Sequence, residues 1–290
     1  MRLFSYRDRP VHLGPYPLER LPRSAAPADL GLVPPMAPLS FDDPNPESLS
    51  HAMARFIGMF DVIRDGRVAP LEGEIPADPR QRSEHLKAAG YYFDASQVGV
   101  CALPRAALLD EPIRNPMVEQ LAAELEASQP KSFAAGMDMI LADVLDSARA
   151  VHGTIERHGH AIVFLVEYPR DPGADEPGCD WIRGTQAQRA ATLAAQTAVL
   201  ISTYLRMLGF EARAHTATCS DLDLGRLAVA CGLAEIVSRG GELSLANPYV
   251  GTRYGLAAVS TSIELAADAA LAPSDWASRT RSHGPSWWLG

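Results

Sequence analysis

The strongest constraint on the fold is a continuous apolar run, AIVFLV, at residues 161–166, which extends as EY and stops at Pro169. Runs of this length are typical of strands that are buried on both faces of a sheet. Such a strand requires a covering layer on each face of its sheet. We therefore expect this run to lie in the middle of a sheet, inside a layered domain.

Three dipeptides of one kind predict helix starts. In each, a residue that caps helix N-termini precedes a proline, which suits the first helical position. They are Asn45-Pro46, Asp78-Pro79 and Asn115-Pro116. A fourth helix is predicted from about residue 133 to residue 151. In the first helix, apolar residues recur at helical spacing up to Gly66 and predict its buried face. These residues are Leu49, Met53, Phe56, Ile57, Phe60 and Ile63.

The longest predicted helix runs from Thr185 to Leu208 and ends at Gly209. Thr185 and Gln188 have the spacing of a capping box at its start. Small side chains on this helix permit a close approach to a neighbouring layer, and we expect that layer to be the sheet. They are Ala190, Ala191, Ala194, Ala195 and Ala198.

The stretch from Phe210 to Leu265 predicts a strand, a helix, a loop and a second strand, in that order. Alternate residues of the first strand share a face, and its polar face carries Glu211, Arg213 and His215. His215 is either a proton donor or a strand-end histidine that is held by hydrogen bonds. A nucleophilic Cys219 activated by His215 is a further alternative, which the spacing does not favour because the two side chains need not face each other.

In the same stretch, Ser220 is predicted to cap the helix, with Asp223 three residues further on. Asp221 could instead act as a general acid if it is desolvated. The loop LANPYVGTRYG follows, and the final strand covers residues 256–265. A short buried strand is predicted at residues 98–103. We expect the strands at Val98, Ala161, Glu211 and Leu256 to lie in one sheet, in an α+β fold.

Composition excludes several classes of function. The chain of 290 residues has 26 basic and 35 acidic residues, a net charge of −9 and no dense basic run, so nucleic acid is not expected as a partner. No membrane segment is expected either, since polar residues interrupt the longest apolar helix. The N-terminus lacks the apolar core of a secretory signal.

The cysteines are scattered, at Cys101, Cys179, Cys219 and Cys231, whereas iron–sulfur clusters and structural zinc use grouped thiolates. We therefore expect neither kind of site, and a reduced, cytoplasmic protein. The pair His158 and His160 has a spacing that could hold a metal ion, but no third ligand follows from the sequence. A pair of solvated strand-end histidines is the favoured interpretation, with no metal site.

These motifs together resemble a known family. The ARAH strand, the AVACGLAEI helix, the NPYVGTRYG loop and the small-residue final strand are similar to the corrinoid-binding core of reductive dehalogenases and epoxyqueuosine reductase. The N-terminal FSYRDRPVHLGPYPLERL, the segment EYPRDPGADEPGCDWIRGTQAQRA and the C-terminal RSHGPSWWLG resemble the degenerate first domain of the cytoplasmic, respiration-independent reductive dehalogenases. The resemblance covers essentially the whole chain.

This resemblance implies a nitroreductase-like three-layer α/β/α sandwich with a mixed sheet. It divides the chain into a proline-rich N-terminal arm (1–44), the sandwich (45–272) and a C-terminal tail or linker (273–290). It also implies a non-catalytic domain that forms a pseudo-dimer with a cobalamin-bearing dehalogenase domain, or associates with itself. The family's catalytic tyrosine would fall near residues 191–194, which hold none. Gly255 replaces a second basic residue of the family's final loop.

The alternative is a corrinoid- or flavin-binding redox protein that takes part in reductive dehalogenation. The residues that the resemblance would then assign to cobalamin binding are His215, Ser220, Asp221, Tyr249, Gly251 and Arg253. Under the first interpretation the chain holds no cofactor, no iron–sulfur cluster and no catalytic residue.

Overall fold

A computed structural model describes residues 9–36, 39–41, 43, 45, 47–127, 154–239 and 241–273. The predicted helix at 133–151 and the tail from residue 274 onwards lie outside the described residues. The helices, numbered α1 to α6 in chain order, are Leu49–Val62, Pro79–Tyr92, Pro116–Ala127, Cys179–Ile182, Gln186–Met207 and Leu224–Ala230. Among these residues no helix has both the length and the apolar character that a membrane span requires.

The strands, numbered β1 to β8, are Gln97–Ala102, Leu108–Ile113, His160–Glu167, Ala212–His215, Ser220–Leu222, Glu235–Arg239, Glu242–Ala246 and Tyr254–Thr261. Four of them form the main sheet in the order β1-β3-β8-β4, which confirms that the four predicted strands share one sheet. The apolar run is β3, in the interior of that sheet, as predicted. β2 pairs with β5, and β6 with β7, in two small sheets.

Every strand pair in the main sheet is antiparallel, so the expectation of a mixed sheet was wrong for the described strands. The register pairs Phe164 with Ala257, and His215 with Ala258. β8 is buried along its whole length, because β3 and β4 flank it and both of its faces are covered. It ends at Thr261, four residues earlier than predicted.

One face of the main sheet packs against α2 and α5. Its side chains include Val98, Val100, Ile162, Phe164, Ala257 and Val259. The alanine-rich side of α5 lies against them, as predicted, through Ala190, Ala194 and Ala198. At Gly255 a Cβ atom would lie only 2.9 Å from the backbone of Ala190 and Ala191. A basic side chain at position 255 would therefore force the helix and the sheet apart.

The other face of the sheet is covered by α6 and by the N-terminal arm. The sheet contributes Cys101, Ala161, Val163, Leu165, Leu256 and Ala258 to this core. Leu227 and Ala228 of α6 pack on it, and the arm adds Tyr16, Leu18 and Val33. The sheet is therefore enclosed between two apolar layers.

Two of the three predicted proline-type helix starts are confirmed. The side chain of Asp78 accepts a hydrogen bond from the backbone N–H of Arg80 (2.9 Å), and Asn115 accepts one from Met117 (2.9 Å). The start at Asn45 was wrong, because Ser48 caps α1 instead. The Asn45 side chain forms a turn just before it by accepting from Glu47 N–H.

The capping predictions for the two later helices were wrong. Thr185 precedes α5 but donates its hydroxyl to Ile182 O, and the Gln188 side chain donates to Ser40 O. Ser220 lies in β5, and Asp223 caps α6 by accepting from the Arg226 N–H. The Ser220 hydroxyl donates to the carbonyl of Leu222 and accepts from its backbone N–H, so it is bonded within β5. Ser220 does not start the helix, because pairing with β2 keeps the backbone extended at residues 220–222.

The prediction of the buried face of α1 was also largely wrong. Phe56 is 58% exposed, and Leu49 and Ile63 are exposed too. The buried side consists of Ser50, Ala54, Ile57, Gly58, Asp61 and Val62. Ile57 packs on Ala191 and Ala195 of α5. The small residues of α5 allow Ile57 this close contact, which turns the larger apolar side chains of α1 outward.

Candidate functional site

Three of the six predicted cofactor-binding residues lie together where β4 ends and β5 begins. His215 is fully buried, and its Nδ1 accepts a hydrogen bond from the backbone N–H of Asp221 (3.3 Å). Its Nε2 lies 2.8 Å from the hydroxyl of Ser260 on β8. Both ring nitrogens are thus in use. This leaves His215 in the role of a buried, hydrogen-bonded histidine rather than a base for Cys219.

His158 extends this arrangement, because its Nδ1 lies 2.7 Å from the same Ser260 hydroxyl. Burial lowers the pKa of His158 to about 4, and the charge of Arg213 adds to the effect. Burial and the charge of Arg64 lower the pKa of His215 well below its ordinary value. The two rings are therefore neutral at neutral pH, and Ser260 links them by hydrogen bonds.

The structure does not place His158 and His160 in a group of metal ligands. His160 begins β3, and burial lowers its pKa. Among the residues that the structure describes, no group of three or more His, Cys, Asp or Glu side chains is arranged to hold a metal ion.

Asp221 is the centre of a cluster of charges. Its Oδ2 accepts from Arg64 (3.1 Å) and Arg213 (3.2 Å), and its Oδ1 accepts from Arg114 (3.0 Å). Arg213 also pairs with Asp65. Burial alone would raise the pKa of Asp221, but the surrounding positive charges outweigh burial and hold it well below its ordinary range. The surrounding guanidiniums therefore favour the ionised form of this carboxylate.

Arg64 is the least accessible member of this cluster, with a fully buried side chain. Its Nη1 donates to Ala214 O and to Asp221, whereas its Nε and Nη2 have no hydrogen-bond partner among the described residues. Asp221 is thus the carboxylate that compensates a buried guanidinium.

A second buried carboxylate, Asp61, lies on α1 and is only 1% exposed. Its Oδ1 accepts from the hydroxyl of Thr216 (2.6 Å), and its Oδ2 from Thr218 (2.6 Å) and from the amide of Asn115 (2.8 Å). Burial raises the pKa of Asp61 to about 6, although these three hydrogen bonds oppose the change. Three separate parts of the chain meet at this side chain.

The other three predicted residues lie elsewhere, at the opposite end of β8. Tyr249 stacks near Tyr16, with ring centroids 5.2 Å apart, and donates to Pro17 O. Gly251 closes a turn by pairing with Asn247, and Arg253 donates to Pro169 O. The structure therefore does not combine the six residues into one site.

A cavity of about 470 Å³ lies beside the two carboxylates, between α1, the β2–α3 turn and two short segments. Its lining is Leu39, Ser40, Phe41, His51, Ala54, Ile57, Ile113, Arg114, Asn115, Pro116, Met117, Gln120, Ala217 and Thr218. None of the six predicted residues lines it. Asp221 bonds to Arg114 of the lining, and Asp61 bonds to Asn115 and Thr218.

Asp61, Arg64 and Arg114 were not predicted from the sequence. One signal for Asp61 was available, since it lies four residues after Ile57 and seven after Ala54, on the side of α1 that is buried. A carboxylate at such a position needs partners. Arg64 and Arg114 lie in short polar segments that carry no comparable signal.

The comparisons with known proteins give a clear relative. The catabolic reductive dehalogenase NpRdhA superposes on the chain with a TM-score of 0.67 and 35% sequence identity, over 94% of this chain and 32% of that one. Its structure in complex with 3-bromo-4-hydroxybenzoic acid gives a TM-score of 0.64 and 36% identity over the same shares. The chain is a relative of the reductive dehalogenases. It spans about a third of the length of the relatives that it matches.

Epoxyqueuosine reductase from Bacillus subtilis is a more distant neighbour, with a TM-score of 0.38 and 12% identity over 67% of this chain and 49% of that one. This second likeness is too weak to support an argument about the site. No protein family model and no curated protein matches the chain.

Proposed function

We propose that this chain is the nitroreductase-like, non-catalytic first domain of a reductive dehalogenase, and that it supports a cobalamin-bearing domain as one half of a pseudo-dimer. The observation that carries the proposal is the 35% identity to NpRdhA over nearly all of this chain but only 32% of that protein. The remaining two thirds of a protein of that length are long enough for a separate catalytic domain.

Exposed apolar side chains on α1 supply a surface for such a partner. The α1 stripe consists of Leu49, Phe56, Met59 and Ile63, all exposed. These residues recur at helical spacing on one side, as in helices that bury an apolar face. Exposed apolar surface of this kind marks interaction sites in soluble proteins. We assign the stripe to the contact with the cobalamin-bearing domain.

The arrangement of the predicted cofactor residues supports a non-catalytic role. His215 and Ser220 are fully buried, whereas Arg253 lies at the far end of β8. A corrinoid is a wide, flat ligand, and fully buried side chains such as His215 and Ser220 offer it no direct contact. The four cysteines are also dispersed along the sequence, and three of them are buried.

Absorption spectroscopy tests the cofactor half of this proposal. The purified chain should retain no stoichiometric corrinoid or flavin after incubation with cobalamin or a flavin nucleotide and removal of the excess. A tight one-to-one complex with cobalamin would refute the non-catalytic assignment and favour the alternative, a corrinoid-binding redox protein.

Light scattering tests the interface half. Without its partner domain, the chain should self-associate through the α1 stripe as the concentration rises. The double substitution Phe56→Glu, Met59→Glu should restore a monomer, since it places two charges in the contact. Leu243→Glu is the matched control, because Leu243 is a similarly exposed apolar residue on β7. Equal behaviour of the two variants would contradict the assignment of the stripe.

A further inference from the structure

The cavity beside α1 has the size and construction of a small-molecule site. Its volume of about 470 Å³ falls in the range typical of ligand pockets, roughly 300–1,000 Å³. Much of its wall is apolar, and its polar lining residues are Ser40, His51, Arg114, Asn115, Gln120 and Thr218. Asn115 and Thr218 come from two turns that meet at Asp61. Apolar walls with a few convergent polar groups are the usual form of such a site.

Three of these polar groups are fixed from behind by two carboxylates, the buried Asp61 and the partly buried Asp221. Asp61 accepts from Asn115 (2.8 Å) and from Thr218 (2.6 Å), and Asp221 accepts from Arg114 (3.0 Å). Side chains that are held in this way are pre-organised for a ligand, because little rotamer freedom is left to lose. Burying Asp61 to 1% exposure is costly, and a simple surface turn would not require it.

Arg114 supplies a guanidinium to the lining of the cavity and favours an anion there. Behind the lining, Arg64, Arg114 and Arg213 all donate to Asp221, and Asp65 pairs with Arg213. The Arg114 side chain is 54% exposed and lines the cavity. Among the described residues it donates only to Asp221 and to Ile113 O, which leaves three of its five N–H groups for a ligand.

A ligand in the cavity would contact Arg114 directly, whereas Asp61 does not line the cavity. Both of its oxygens already accept hydrogen bonds, and the Asn115 and Thr218 side chains stand between it and the cavity. We infer that the cavity binds a small organic acid, with its carboxylate on Arg114 and its apolar body against Phe41, Ile57 and Met117. A planar carboxylate matches the fork of N–H groups that a guanidinium offers.

Calorimetric titration of the 290-residue chain with benzoate tests this inference, with benzamide as the neutral compound of nearly the same shape. Benzoate should bind once per chain and at least about tenfold more tightly than benzamide, a difference of about 1.4 kcal/mol. Equal affinities, or no saturable binding of benzoate below about 10 mM, would overturn the inference.

Two substitutions locate the binding. Arg114→Gln should weaken benzoate about tenfold and remove the preference over benzamide, while Arg64 and Arg213 still compensate Asp221. Arg170→Gln is the control, since Arg170 is an exposed arginine that also pairs with a carboxylate, that of Glu176.

Ala217→Phe should abolish binding by filling the cavity from a partly exposed loop. Binding that survives Ala217→Phe, or that responds equally to both arginine changes, would refute the site. Either result leaves the proposed domain role unaffected, because that role does not depend on the cavity.

Discussion

Asp61 and Asp221 are both shielded from solvent and both bond to residues that line the same cavity, yet their pKa values move in opposite directions. Asp61 accepts only from neutral groups, two threonine hydroxyls and one amide, and its pKa rises to about 6. Asp221 accepts from three guanidiniums, and its pKa falls well below the ordinary range.

The difference shows that the partners, rather than burial, decide the direction of the change. Burial disfavours the charged form of both carboxylates, and hydrogen bonds from neutral donors offset only part of that cost at Asp61. At Asp221 the positive charges of the nearby arginines outweigh the effect of burial and lower the pKa. Asp61 is therefore suited to hold neutral groups in place, and Asp221 to keep buried arginines in the fold.

Removal of the charge of Asp221 should have the largest effect. Asp221→Asn leaves the fully buried Arg64 without its counter-charge, and breaking a buried ion pair from one side costs roughly 3–5 kcal/mol. Urea unfolding would measure the loss of unfolding free energy. Asp110→Asn serves as the control, since Asp110 is an exposed aspartate on β2. Similar losses for both variants would mean that Asp221 does not compensate Arg64.

The next largest effect should be the pH dependence that comes from Asp61. Its pKa is about 6 when folded and 3.8 in the reference state, so the folded protein binds more protons between these values. Its contribution to stability is present in full below about pH 4 and is lost as the pH rises through 6, by about 3 kcal/mol.

The measurement for Asp61 is a difference between two stability curves. His158 and His215 have lowered pKa values, so their contributions are lost as the pH falls below the ordinary histidine value, which is the opposite slope. Both histidines remain in Asp61→Asn and cancel in the comparison. As the pH rises from 4 through 6, the free energy of unfolding of the unsubstituted protein should fall by about 3 kcal/mol relative to that of Asp61→Asn. Parallel curves would contradict the raised pKa.

The main elements of the fold could be predicted from the sequence, because local patterns determine them. The apolar run of β3 and the Asp78-Pro79 start of α2 are signals of this kind, and both predictions were confirmed. β2 was not predicted. It contains Pro112, its residues are mostly exposed, and only pairing with a distant strand, β5, makes it extended.

The candidate site was less predictable, because long-range contacts create it. Arg64 stands in a polar segment after α1 that reads as surface, and its partner Asp221 lies 157 residues later. The outward turn of Phe56 likewise depends on how α1 meets α5 through Ile57 and Ala195, and not on the pattern of α1 alone. Neither the pairing of Arg64 with Asp221 nor the exposure of Phe56 can be predicted from the sequence without knowing how the elements pack.

The smallest predicted effect comes from removing one neutral hydrogen-bond donor to Asp61. It tests the contrast between Asp61 and Asp221 most directly. Thr218→Val removes the 2.6 Å hydrogen bond to Oδ2 at nearly constant volume, and it should cost about 1–2 kcal/mol at neutral pH. Because this bond favours the charged form, its loss should also raise the pKa of Asp61 further.

Thr218→Ser keeps the hydroxyl and should restore both properties, whereas Thr252→Val, at an exposed threonine, should change neither. Urea unfolding and an NMR titration of the Asp61 carboxyl carbon measure the two quantities. If Thr218→Val and Thr218→Ser behave alike, the hydroxyl is not what stabilises the carboxylate, and the proposed contrast with Asp221 loses its basis in neutral donors.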